Sequence, residues 1–307
     1  MIQTHSLKEL NLESSWLTIG VFDGVHRGHQ RIIHQLATGA HAASVPALVL
    51  TFWPHPASVL GNGHVKCLTT LEERADALSA LGVDMMIINT FDHDLANTSA
   101  YDFLAQLIRH LGVTHLLIGY DFALGKGREG NATRLTEIGK ELGYTVDIIN
   151  AVSDESGVIS STEIRKLVAT GDVSEAAKLL GHYYSLHGSV IHGDGRGRKL
   201  GFPTANIEYR DEKILPSNGI YACRVWVNNS KSMAAVNVGT RPQFHEDGGR
   251  PLVEAYILDF DNDIYGQDVK IEFVARLRDE LKFSSVDALV KQIGLDVVRT
   301  REILSVN

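Results

Sequence analysis

Near-continuous apolar runs separated by amphipathic stretches fill the chain to about residue 151, and then that rhythm stops. The runs are WLTIGVF (16–22), VPALVLTF (45–52), DMMIINTF (84–91), THLLIGY (114–120) and YTVDIIN (144–150). A strand that is apolar on both faces must be covered on both. Such runs alternating with helices therefore predict a parallel sheet between two helical layers, a Rossmann-like α/β domain. The stretch TTLEERADALSALG between two of the runs reads as a helix, opened by Thr70 and Glu73 at capping-box spacing. Ligands of such sheets bind outside the carboxyl ends of the strands.

Beyond about residue 183 short alternating segments take over: SLHGSVIHG, GIYACRVWVN, SMAAVNVG, LVEAYILDF and DVKIEFVARL, broken by NG, NN, DGG and YGQ turns. This texture predicts a small antiparallel β-barrel. A helix from Ser284 closes the chain, with Val286, Leu289, Val290, Ile293 and Val297 as an apolar stripe against the barrel. The linker falls around Gly181 to Tyr184, giving domains 1–182 and 183–307. A length of 307 residues suits two such cores.

Composition narrows the function classes. A net charge of -8 argues against wholesale nucleic-acid binding, though small anions can still be held by backbone amides, placed arginines and Mg²⁺. No apolar run approaches the ~20 residues of a membrane span, and the first residues show no secretory pattern. Two cysteines, Cys67 and Cys223, suit a reducing compartment. The expected location is the cytoplasm, with small-molecule partners, no membrane or nucleic acid, and an oligomer left open.

VFDGVHRGHQ (21–30) sets two histidines three apart where the first strand gives way to a helix. His26 and His29 would share a helical face. A zinc site would need further ligands; His34 lies a turn on, but no HExxH run exists. A polar helix start is the bland alternative. Gly20, Gly24 and Gly28 let backbone approach a bulky anion, and a helix amino end supplies free N–H groups and a positive dipole. A phosphate cradle is the better reading. A second element, ISSTEIRKLV (159–168), offers the hydroxyls of Ser160, Ser161 and Thr162 with Arg165 one turn in, although Ser160 and Glu163 also form a plain capping box.

In the second half, Thr204 and Asn206 of FPTANI lie two apart and so share a strand face. Hydroxyl and carboxamide oxygens are hard, neutral ligands suited to Mg²⁺ on phosphates, and the equal alternative is the ordinary polar face of a strand. The preceding GDGRGRKLG is a Gly-rich loop with Arg196, Arg198 and Lys199, able to close over phosphates, but it is no P-loop. Glu254 interrupts an apolar strand. It is either a solvent-face carboxylate or a base, and alternation with Tyr256 and Leu258 does not decide between them.

Together the histidine and ISSTEIR elements resemble the HxGH and ISSTxxR signatures of the nucleotidyltransferase superfamily. GVFDGVHRGHQ, TFWPHP, GYDFALGKGREG, ISSTEIR and ATGDVSEAAKLLG closely resemble the FMN adenylyltransferase module of bacterial FAD synthetases. GDGRGRKLGFPTANI, NGIYA, NVGTRPQF, VEAYILDF and LRDELKF resemble the riboflavin kinase module fused to it, so the likeness runs nearly the full length in order.

The resemblance implies that Gly20, Phe22, Asp23, Gly24, His26, His29, Ser160, Ser161, Thr162 and Arg165 bind ATP for adenylyl transfer. His26, His29 and Arg165 would stabilise charge as pyrophosphate leaves. Pro54, His55, Pro56, Asp121 and Phe122 would bind FMN. In the barrel it implies ATP at Gly195, Arg198, Lys199, Thr204 and Asn206, with Mg²⁺ on Thr204 and Asn206. Flavin would lie near Arg241, Arg278, Glu280 and Phe283, with Glu254 as the base for its 5′-hydroxyl. Riboflavin, FMN, FAD and ATP follow as substrates and products. The chain departs from the pattern at Tyr256 (commonly histidine), Gln243 (threonine), Leu124 (an aromatic) and Asn131 (an acidic residue), which touches substrate fit more than chemistry. The rival expectations are an adenylyltransferase whose barrel only binds flavin, and a sensor without chemistry.

Overall fold

The computed structural model describes residues 1–61, 63–154, 157–193, 195–240 and 251–306. The chain forms two compact units, Met1–Ser161 and Thr162–Asn307. The helix Val173–Leu180 belongs to the second unit because its buried Val173, Ala176, Leu179 and Leu180 pack toward the barrel strands Tyr184–Ile191 and Asp268–Arg278. The contact boundary thus falls earlier in the chain than the change of sequence texture on which a boundary at 182/183 rests.

In the first unit all five apolar runs are strands of one parallel sheet. Its order is Ile2–Thr4, Met85–Thr90, Ala47–Trp53, Ser15–Ile19, Val113–Gly119, Thr145–Ile149. The edge strand Ile2–Thr4 was invisible in the sequence, because IQT has too few residues to show a pattern. Two apolar clusters cover the sheet, one around Leu17, Leu50, Leu107 and Leu116, the other around Ile33, Leu36, Val49, Leu78 and Met86. From Ser15–Ile19 the chain builds outward to one side and then returns to add Val113–Gly119 on the other. The order therefore reverses at Ser15–Ile19, and the crevice at that reversal is where ligands of open α/β sheets lie. The segment leaving this strand is the histidine stretch. Thr70 and Glu73 form the expected capping box of the helix Leu71–Ala80.

The second unit contains a closed barrel in the order Tyr184–Ile191, Ala205–Tyr209, Leu252–Ile257, Ser230–Gly239, Gly219–Val227, Asp268–Arg278. Every pairing between neighbours is antiparallel. Val236, Val253, Ala255, Ile271 and Phe273 belong to its fully buried filling. The closing helix is Val286–Val306. Its buried positions are Asp296, Thr300 and Leu304, while Val286, expected on the apolar stripe, is 59% exposed. The other four stripe residues, Leu289, Val290, Ile293 and Val297, are half-buried, and Arg278 holds Asp296 on the same helix.

Candidate active sites

The loop between Ile19 and the helix Arg27–Ala42 is held in backbone conformations that L-residues avoid. Phe22 (φ 51), Gly24 (φ 80) and Val25 (φ 40) all have positive φ. A β-branched residue there is a genuine outlier, and each strained non-glycine position costs on the order of 1–3 kcal/mol. Cross-links hold the loop in place. The Gly24 N–H donates to Thr69 Oγ1 (3.0 Å), Gln30 Nε2 to the Val25 carbonyl (2.8 Å), and Ser161 Oγ to the Asp23 carbonyl (2.9 Å). Asp23, predicted as an ATP ligand, is buried and accepts from the Leu68 and Thr69 amides and from Thr69 Oγ1 at 2.9–3.1 Å. Its carboxylate also lies 3.8 Å from Arg74, whose guanidinium donates to Thr51 Oγ1 at 3.0 Å. Asp23 therefore braces the cradle from beneath.

His26 is the N-cap of the helix: its Nδ1 accepts from the His29 amide at 3.4 Å. A neutral ring that accepts at Nδ1 carries its proton on Nε2. The His26 and His29 rings stack at 3.6 Å, and Phe22 meets His29 edge-on at 5.1 Å. His29 Nδ1 is buried without a partner among the described residues. Burial pushes the His29 pKa well below its ordinary value, and the neighbouring His26 and Arg74 charges push the same way. The buried ring therefore resists protonation. A Cβ on Gly28 would lie 3.1 Å from the His26 ring, so a larger residue would press that ring by a few tenths of an ångström.

The other predicted residues of this site stand on the same edge of the sheet. Pro54, His55 and Pro56 follow the strand Ala47–Trp53, with His55 Nδ1 capping the helix Pro56–Leu60. Asp121 and Phe122 follow Val113–Gly119. These are the strands flanking Ser15–Ile19, so all three segments leave from adjacent carboxyl ends. Two departures from the family pattern have local reasons. Leu124 is buried in a short hairpin, and Asn131 caps the helix Ala132–Leu142 by accepting from the Arg134 amide. Ser160 and Ser161 end the first unit. Thr162 and the part-buried Arg165 lie in the second, on the helix Ser161–Thr170.

Sequence reasoning missed Arg74. The available signal was a cation placed three after Leu71 and four before Leu78 on an otherwise apolar helix face.

The barrel site is assembled by register. Asn206 pairs directly with Glu254 across one strand boundary, and Glu254 with Asn237 across the next. Val253, Ala255 and Ile257 are buried in the barrel filling, whereas Glu254 and Tyr256 are part-exposed on the opposite face. Glu254 thus faces a cavity of about 410 Å³, which the helix residues Leu289, Ile293 and Asp296 also line. That size falls in the roughly 300–1,000 Å³ range of small-molecule sites. Phe202 meets the Tyr256 ring edge-on at 5.3 Å. Thr204 borders this cavity and a second of about 450 Å³, which Arg198 also lines.

Glycines let the loop backbone come close to the predicted metal donors. A Cβ on Gly193 would lie 2.0 Å from Asn206 Nδ2, and one on Gly197 3.1 Å from Thr204 Oγ1. The loop backbone thus packs directly against both side chains, and their hydroxyl and carboxamide oxygens are of the hard, neutral kind that Mg²⁺ takes. The Gly-rich loop contains one helical turn, Arg196–Lys199, with Gly195 at its start in the left-handed region (φ 65).

Arg278, predicted to bind flavin, lines the cavity. Its guanidinium also grips Asp296 through Nε (3.0 and 3.1 Å) and one terminal nitrogen (2.6 Å), fixing the helix over the cavity. Glu280 accepts from Asn218 at 3.2 Å, and a Cβ on Gly239 would collide with it at 2.1 Å. Phe283 lines the cavity with Arg278 above its ring. Arg241 and Gln243 lie outside the described residues.

Comparison with known proteins agrees with both halves. A family model described as FAD synthetase matches residues 8–163, and one described as riboflavin kinase matches 180–304. The bifunctional riboflavin kinase/FMN adenylyltransferase of Listeria monocytogenes is 38% identical over 287 residues, 93% of this chain and 91% of that one. Its counterpart in Escherichia coli K12 is 36% identical over 301 residues, 97% and 95% of the two chains. A crystal structure from Streptococcus pneumoniae, named a macrolide-efflux protein, is similar with a TM-score of 0.89 at 33% identity over 98% of both chains. Among the described residues no helix is long and apolar enough to cross a membrane. On the strength of matches that span both units in order, the chain belongs to the bifunctional riboflavin kinase/FMN adenylyltransferase family.

Proposed function

We propose that the chain carries out two consecutive ATP-dependent transfers. In the barrel the 5′-hydroxyl of riboflavin attacks the γ-phosphate of ATP in line, giving FMN and ADP. Glu254 takes the hydroxyl proton. Thr204 and Asn206 would hold Mg²⁺, which neutralises phosphate charge when bound. Thr204, on the border of the two cavities, suits a residue that stands between nucleotide and flavin. In the amino-terminal unit the FMN phosphate attacks the α-phosphate of a second ATP, giving FAD and pyrophosphate. A phosphate is already a nucleophile, so no strong base is required. His26 and the neutral His29 donate to the phosphate oxygens at the helix amino end, where charge develops. The roles of Thr162 and Arg165 rest on the family resemblance alone, as do those of Pro54, His55, Pro56, Asp121 and Phe122 as FMN contacts. The cytoplasm is the setting this chemistry suits, with ATP and Mg²⁺ at hand.

The observation that carries this reading is the row of Asn206 and Glu254 facing one cavity, where a barrel that merely bound flavin would need no carboxylate beside a metal donor. Chromatography of the products from riboflavin plus MgATP tests it. FMN followed by FAD is expected. Riboflavin recovered unchanged, with FAD formed from supplied FMN, would leave only the adenylyltransferase.

A further inference from the structure

Strand pairing sets five residues in one row across the barrel wall. Asn206 stands opposite Glu254, Glu254 opposite Asn237, Asn237 opposite Ile220, and Ile220 opposite Arg278. Directly paired residues present their side chains on one face, and all five line the cavity. Asn206 and Glu254 have roles in the kinase reading, Arg278 holds Asp296, and Ile220 is an apolar wall. Asn237 is unaccounted for. Its Oδ1 is buried and makes no hydrogen bond among the described residues.

A buried acceptor left unpaired costs roughly 1–3 kcal/mol. Val236 and Val238 on either side fill the barrel, and an apolar residue at 237 would continue the strand without that cost. The amide is therefore placed for something that enters the cavity. Directly opposed residues of an antiparallel pair have Cβ atoms roughly 4.5–5.5 Å apart. The acceptor thus stands beside the base at a spacing suited to neighbouring hydroxyls of one polyol chain.

We propose that Asn237 is a specificity-determining residue of the kinase site: its carboxamide binds the ribityl hydroxyl adjacent to the one that Glu254 deprotonates, and so holds the terminal hydroxyl at the base. This rests on the reading of the cavity as the riboflavin site. A site built to hydrogen-bond a hydroxyl rejects the analogue that lacks it, because its own polar group is then left unpaired.

The test compares riboflavin with 4′-deoxyriboflavin as phosphoryl acceptors for the wild-type chain, Asn237→Leu and Asn237→Ala. The wild type should prefer riboflavin in kcat/KM by about tenfold or more. Both variants should bring that ratio to within about twofold of one, by losing rate on riboflavin alone. Without flavin, Asn237→Leu should melt no lower than the wild type, since it loses no internal hydrogen bond; either variant that folds suffices for the ratio. An unchanged ratio, or equal slowing of both flavins as if Asn237 acted only on Glu254, would overturn the proposal. A wild-type chain that forms no FMN at all would instead overturn the reading of the cavity, and this inference with it.

Discussion

The amino-terminal cradle is made of sequence neighbours held in strained backbone, whereas the barrel site is made of distant residues brought abreast by strand pairing. Phe22, Gly24, Val25, His26 and His29 lie within one short loop and helix start, and their geometry comes from positive φ and a cap. Asn206, Glu254 and Asn237 come from three strands, and their geometry comes from register. The difference follows from the chemistry asked of each. Holding a triphosphate needs amides and imidazoles at one helix end, which a local motif can supply. Deprotonating an alcohol needs unlike groups on a rigid surface, which a closed barrel supplies. It follows that each site should fail separately.

The largest separation is expected from Glu254→Gln, which keeps shape and removes basicity. FMN formation should fall by about 10²–10⁴, mostly in kcat, with FAD synthesis from supplied FMN unchanged. Initial rates from the two starting flavins measure this, and FMN formation at more than about a third of the normal rate would return Glu254 to the role of a surface carboxylate.

The mirror image is His29→Ala. FAD formation from FMN should drop by about 10²–10³ while riboflavin phosphorylation persists. Equal loss of both activities in a folded chain would erase the comparison.

Arg74→Met sharpens the claim that the cradle is braced from below. It removes the cation 3.8 Å from the buried Asp23 carboxylate and leaves that charge to its hydrogen bonds from Leu68 and Thr69. Breaking a buried pair in this way costs about 3–5 kcal/mol. In a Trp226→Phe background the remaining tryptophans, Trp16 and Trp53, lie in the first unit, so denaturant unfolding followed by their fluorescence reports that loss. A midpoint equal to that of the background protein would show that the brace is dispensable.

The smallest effect is one of pH. The folded pKa of His29 lies below its ordinary value of 6.5, so the native state resists protonation there more than the unfolded chain does. The stability this lends is full above about pH 6.5 and is lost as pH falls toward the depressed folded value. The first unit should therefore weaken between neutral and acidic pH. His29→Asn should flatten part of that decline, and parallel curves would contradict a neutral buried ring.

How much of this was legible in the sequence follows the same division. The parallel sheet could be read because every central strand is apolar on both faces. The cradle could be read because its parts are contiguous. The barrel class was readable from alternation, but the face of Glu254 was not, because Val253, Ala255 and Ile257 on one side and Tyr256 and Leu258 on the other are both largely apolar. The cavity that Glu254 lines together with its strand partners Asn206 and Asn237 settles it. Arg74 and Asp296 escaped for a related reason. Each is a charge on an apolar helix face, and its partner, Asp23 or Arg278, is supplied by a distant segment.

The central claim is that two complete sites work independently on one chain, and mixing the two crippled proteins tests it most directly. Neither Glu254→Gln nor His29→Ala should convert riboflavin to FAD at an appreciable rate alone. Combined with riboflavin and MgATP, the His29→Ala protein should release FMN and the Glu254→Gln protein should convert it, so that FAD accumulates after a lag. A mixture that makes no more FAD than the sum of its parts, with both proteins folded, would contradict the account.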